Sequence, residues 1–220
     1  MQIIHSDDLL GALHSFSVES AFFNEFLNFL GGCSEYFSTT SDETDSDEEK
    51  AMYRHHAITL RSMQSKILTG ATVSPDGSAR FTLPDGMLSA LFYNLVSMMA
   101  PEDVPEEVFP LQEAPLVSKM PGVYCCYPLE TAQFRQVTGA LELVRRGLEM
   151  MGLEEEPARL LHLMEDIATQ SYCFQDGDTA REMAALVVPE FEVMELFRAL
   201  LIATSVEYGK TDFAATLPRE

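Results

Sequence analysis

The sequence predicts an all-α fold, a multi-helix bundle with one embellishing β-hairpin at about 71–83, and three observations predict it. Apolar residues recur at spacings of three and four through most of the chain, most regularly at Phe134, Val137, Leu141, Val144, Leu148 and Met151. Capping residues and glycines bracket these runs. The clearest alternating stretch, "ATVSPDGSARFTL", has Pro75, Asp76 and Gly77 at its centre, the composition of a turn between two short extended runs.

Taken in order, "SDDLLGALHS" at 6–15 begins with Ser6 as N-cap and two aspartates in the first turn, where the helix dipole favours negative charge. In "SVESAFFNEFLNFLGG" Val18, Phe22, Phe26 and Phe29 share a face flanked by Phe23, Leu27 and Leu30, and Gly31 and Gly32 are expected to stop the helix. "SDETDSDEEK" at 41–50 lacks the central glycine and ligand spacing of an EF-hand. Ser46 and Glu49 stand instead at capping-box spacing before a stripe of Met52, His56, Leu60, Met63 and Ile67 that ends at Gly70. After the hairpin, a helix from Asp85 turns Leu88, Leu91, Phe92, Leu95 and Met99 inward. Pro101, Pro105, Pro110, Pro115 and Pro121 then mark a linker or wrapping loop. Past "VYCCYP" come the six-member stripe capped by Gly152, a helix begun by "LEEEPARLLHLMEDIA" with Pro157 in its first turn, a helix over "DGDTAREMAALVV", and a last helix from Pro189. No repeat is evident at spacings of 20 to 50 residues. The expected organisation is an N-terminal helical lobe with the hairpin at 1–100, a Pro-rich connection at 101–122 and a C-terminal helical lobe at 123–220, together forming one compact unit.

Composition narrows the function. The chain has 220 residues, 46% of them hydrophobic, enough for an ordinary core, and a formal net charge of -21. With 14 Lys and Arg against 35 Asp and Glu, a nucleic-acid backbone is a poor partner and a basic protein a natural one. The N-terminus has no signal-peptide pattern and no apolar run reaches the roughly 18 residues that span a bilayer, so a soluble, cytoplasmic protein is expected. Cys33, Cys125, Cys126 and Cys173 form no CxxC pair, and the adjacent Cys125 and Cys126 point to opposite sides of a regular element.

Catalytic signals are thin. There is no GxSxG, Walker loop or GxGxxG. The adjacent His55 and His56 point about 100° apart on a helix and do not converge on one ion. His162 and Glu165, three apart on one helix face, would set an imidazole beside a carboxylate, the rudiment of a metal-dependent hydrolase, but a helix-surface ion pair is the plainer account. The protein is therefore expected not to be an enzyme and to hold no metal or other cofactor.

The stretch "ALELVRRGLEMMGLEEEPARLLHLMEDIA" resembles the region of the TorD and NarJ family of cytoplasmic chaperones where a helix ending in Gly-Leu leads into an acidic-Pro segment and a leucine-rich helix. "ALFYNLVSMMAPEDVP" is similar to the family's aromatic-rich helix running into a Pro-rich loop, "MPGVYCCYP" stands where a Pro-Tyr-rich segment is expected, and "VVPEFEVMELFRALLIAT" looks like its terminal helix pair. The likeness covers about 85–208. Where the family signature has Asp-His, this chain has Arg159 and Leu160, with His162 two positions along. The resemblance implies a maturation chaperone that holds an apo molybdoenzyme subunit or its twin-arginine leader, through Glu155, Glu156, His162 and Glu165. The competing expectation is an acidic inhibitor or immunity-type protein whose carboxylates imitate nucleic-acid phosphates in a basic site. Pairing of the chain as a homodimer stays open.

Overall fold

The computed structural model describes residues 13–97, 99, 123–175 and 182–207. It overturns the all-α expectation: among the described residues, beside six α-helices stand two three-stranded antiparallel sheets, so the fold is mixed α/β. The Pro-rich connection at 101–122 and the N-terminal part of the helix expected at 6–15 lie outside the described residues. No helix among the described residues is long and apolar enough to cross a membrane. The chain divides into two compact units, with the boundary between Asn94 and Leu95.

In the first unit the elements run β1 (Leu13–Glu19), α1 (Ser20–Glu43), α2 (Asp47–Gly70), β2 (Thr72–Val73), β3 (Ser78–Pro84) and the greater part of α3 (Asp85–Ser97), whose last residues from Leu95 belong to the second unit. The hairpin is present as β2 and β3, but β1 joins it to give the order β1-β3-β2. Residues 13–15, expected as a helix end, are strand because the burial alternates: His14 and Phe16 are inside, Ser15 and Ser17 outside. A polar histidine at an inward position hides that period of two. Phe81, at the centre of β3, meets Phe16, Phe23 and Phe26 at ring separations of 5.6, 5.5 and 6.3 Å, so the aromatic face of α1 packs on the sheet. Gly31 and Gly32 do not stop α1. Gly31 instead leaves room for Gln64 of α2, whose Nε2 lies 2.9 Å from where a Cβ would stand and donates to the Leu27 carbonyl. The acidic run at 41–50 is a helix junction, with the Ser46 hydroxyl accepting from the Glu49 N–H at the start of α2.

In the second unit come β4 (Tyr124–Glu130), α4 (Thr131–Met150), α5 (Glu155–Gln170), β5 (Tyr172–Gln175), β6 (Glu182–Pro189), a 3-10 turn at Glu190–Glu192 and α6 (Val193–Glu207). "DGDTAREMAALVV", expected as a helix, is strand over its described part. β6 is the central strand of the order β4-β6-β5, and Ala184, Ala185 and Leu186 are buried in succession because both faces of the strand are covered. A continuous short apolar run has no period with which to separate strand from helix. For the same reason the terminal helix pair drawn from the family resemblance is a strand followed by a helix. Gly152 closes α4 at φ +81°, where the Leu153 N–H bonds the Leu148 carbonyl and the Gly152 N–H bonds that of Glu149. Replacing Gly152 with Ala is expected to cost about 1 kcal/mol in a denaturant titration through the left-handed backbone. A change within about 0.2 kcal/mol would mean that the cap relaxes freely.

The two units are built on one plan, βααββα, with one register. Leu13 pairs with Pro84 and Glu19 with Ser78, as Tyr124 pairs with Pro189 and Glu130 with Met183. Thr72 and Val73 oppose Arg80 and Ala79, as Tyr172 and Cys173 oppose Ala185 and Ala184. The Ser20 hydroxyl donates to the Gly77 carbonyl and that of Thr131 to the Glu182 carbonyl, fixing the first turn of α1 and α4 to the same corner of each sheet. Buried Leu60, Met63 and Ile67 of α2 answer to Leu160, Leu163 and Ile167 of α5, and Leu91 and Phe92 of α3 to Leu196 and Phe197 of α6. The repeat is far longer than the 20 to 50 residues over which none is seen in the sequence. Its trace is "VESAFF" at 18–23 against "LETAQF" at 129–134.

Candidate functional site

The residues singled out from the sequence all lie on α5, in the second unit. Gly152 releases the chain from α4, and Glu155 and Glu156 occupy the first turn of α5, where exposed N–H groups favour negative charge and Pro157 leaves no N–H to satisfy. Leu160, Leu163, Met164 and Ile167 bury the inner face. That orientation leaves Glu155, Leu161, His162 and Glu165 outside.

His162 is not centred on Glu165, the partner suggested by sequence spacing. Its Nδ1 stands 2.9 Å from Glu192 Oε1 and 3.8 Å from Asp166 Oδ2. Asp166 follows one turn along α5, whereas Glu192 arrives from the 3-10 turn between β6 and α6, thirty residues away. Pro189 ends the strand, and the Glu190 N–H is held by the Val123 carbonyl at 2.9 Å, which anchors the turn. Within that turn Phe191 projects outward, 78% exposed, and Glu192 inward, 9% exposed.

The electrostatics follow from this placement. Burial pushes the Glu192 carboxyl above its ordinary range and the nearby Asp166 adds to the rise, against the hydrogen bond from His162. The hydrogen bond to Glu192, then the charges of Glu192 and Asp166, raise the His162 imidazole. Glu192 Oε1 is engaged by the imidazole, while its Oε2 is buried without a hydrogen-bond partner. Such an oxygen is costly to bury.

Asp166 and Glu192 are the site residues that sequence spacing misses. The structural repeat provides a way to weigh them, because a residue demanded by the βααββα plan would recur in both units. At the positions of His162, Asp166 and Glu192 the first unit has Ser62, Lys66 and Met87, and at those of Glu155, Leu161, Glu165 and Phe191 it has His55, Arg61, Ser65 and Gly86. The same outer helix face is therefore acidic in one copy and basic in the other. Neither character is a requirement of the fold. Arg54, Arg61 and Lys66 of α2 line an open hollow of about 540 Å³ in the first unit. Cys125 is buried and Cys126 exposed, as the alternation of β4 requires, and partial desolvation by its surroundings raises the Cys126 thiol, which makes it a poor nucleophile. Comparison with protein-family models, with curated proteins and with solved structures finds no match to this chain.

Proposed function

We propose that this is a non-catalytic, cytoplasmic binding protein of chaperone type, which holds a basic and partly apolar segment of a client protein on the outer face of α5 and the adjoining 3-10 turn. The observation that carries the proposal is the mixed character of that face. Glu155 and Glu165 are exposed on α5, Leu161, one turn before Glu165, is 45% exposed, and Phe191, the next residue to Glu192, is 78% exposed. Large apolar side chains left in water among carboxylates suit a ligand that brings its own cations and apolar groups. The equivalent helix of the first unit also exposes apolar side chains, Met52, Ile58 and Leu68, but sets them beside Arg54, Arg61 and Lys66, so the acidic setting is what is particular to α5.

The client class follows from the resemblance in "GLEEEPARLLHLMEDIA": an apo molybdoenzyme subunit or its twin-arginine leader, whose paired arginines would meet Glu155 and Glu165 while its apolar stretch covers Leu161 and Phe191. The test is calorimetric titration of the full chain with a twin-arginine leader peptide, comparing the wild type with Glu155→Lys plus Glu165→Lys. Both side chains are exposed, so the variant is expected to fold while binding about tenfold or more weakly at low salt, a difference that narrows as added salt screens the charges. Equal affinity in a folded variant removes this face from the proposal. A wild type that ignores leaders and apo-subunits but competes with DNA for a basic protein would favour the acidic-inhibitor alternative.

A further inference from the structure

The geometry points to a divalent metal site of the zinc class formed by His162 Nδ1, Asp166 Oδ2 and the Glu192 carboxylate. Each residue offers a ligand atom, and these atoms all lie within 4.8 Å of one another. Zinc bonds of about 2.0 to 2.2 Å in a tetrahedron place neighbouring ligand atoms about 3.3 to 3.5 Å apart. The separations here, 2.9 Å from Nδ1 to Glu192 and 3.8 Å from Nδ1 to Asp166, bracket that spacing. The third separation, from Asp166 to Glu192, is within 4.8 Å, so side-chain rotation alone brings the three ligand atoms to one ion.

A histidine ion pair alone accounts for one carboxylate oxygen. It leaves Glu192 Oε2 buried and unpartnered, in a residue that is 9% exposed, and it sets two carboxylates against one imidazole. A divalent cation bound through both Glu192 oxygens engages the second one and balances both carboxylates. Neither acid is needed by the architecture, since the equivalent positions in the first unit are Lys66 and Met87, an ammonium and a thioether in place of the two carboxylates. One imidazole with two carboxylates suits zinc, or manganese, better than magnesium or calcium, which take oxygen ligands and keep their waters. The His162 side chain is 64% exposed, so water has access to complete the coordination.

This inference does not rest on the client-binding proposal, because the metal is titrated alone. The chelator-treated full chain is titrated calorimetrically with zinc chloride, and the titration is repeated on Asp166→Asn and Glu192→Gln, two near-isosteric changes, with folding checked by circular dichroism. The wild type is expected to bind one equivalent, and either variant about a hundredfold more weakly or not at all, since even second-shell changes around a metal cost about ten- to a hundredfold. Zinc should raise the melting temperature of the wild type and not of the variants. Absence of a bound equivalent in the wild type overturns the site. So does an equivalent that both folded variants retain, or one that disappears instead with Cys126→Ser.

Discussion

Replacing Phe81 with Ala is expected to lower the unfolding free energy by about 3 to 5 kcal/mol, the range for emptying a buried aromatic site. The side chain is 3% exposed and is the ring on which Phe16 of β1 and Phe23 and Phe26 of α1 converge. Removing it takes a partner from three other rings at once, so the loss belongs at the upper end of that range. Thr82 is the control, because β3 alternates and Thr82 faces out, so Thr82→Ala should change stability by no more than about 0.5 kcal/mol. Leu83, inside again at 2% exposure, should cost about 2 to 5 kcal/mol as Leu83→Ala. A large, small, large series over three consecutive positions is the signature of a strand with one buried face. Comparable losses at Phe81 and Thr82 in a denaturant titration would contradict the register.

That series probes the point at which the sequence was hardest to interpret. Helices with a complete stripe and a chemical stop were legible: the capping residue Ser46 and Gly70 bound α2, and Gly152 ends α4 in the conformation that only glycine adopts freely. Strands were legible only where a turn announced them, as Pro75-Asp76-Gly77 did. β1 conceals its alternation behind buried His14, and β6 has none to show because a central strand covered on both faces is apolar throughout. With no alternation to oppose it, the helix period prevails there, and the all-α expectation follows from it. The glycine pair in α1 misled in the opposite sense, since a glycine needed for close approach of a neighbouring helix looks, one-dimensionally, like a terminator.

The site was legible in half. His162 sits on an exposed helix face, as its spacing indicated, and the companion one turn away is Asp166 rather than Glu165. Glu192 was out of reach of local patterns, because it is joined to His162 through the folding of β6 back toward α5 and not through proximity in the chain. The repeat supplies what a single pattern scan does not. Side chains shared by the two units report what the architecture needs, and those that differ report what each copy is free to do. On that comparison the aliphatic and aromatic residues at matched depths are scaffold. The His162, Asp166 and Glu192 group, with its neighbours Leu161 and Phe191, is particular to the second unit.

The scaffold under that group gives the second large effect. Replacing Leu141 with Ala is expected to destabilise the protein by about 2 to 5 kcal/mol, because the side chain is fully buried in the middle of the stripe that α4 presents to α5 and α6. The same stripe includes Phe134, Val137, Val144 and Leu148, all buried, so a void at Leu141 opens between long side chains on either side rather than at an edge that can collapse. Leu143, two residues on and 54% exposed, lies on the outer surface of the same helix, and Leu143→Ala should change stability by no more than about 0.5 kcal/mol. The contrast separates burial from helix propensity, since both substitutions exchange leucine for alanine in the interior of α4 and differ only in what surrounds the side chain. A Leu141→Ala loss below about 0.5 kcal/mol, or a Leu143→Ala loss as large, would show that α4 presents a different face to its neighbours, and with it would go the seating of α5 that holds His162 toward Glu192.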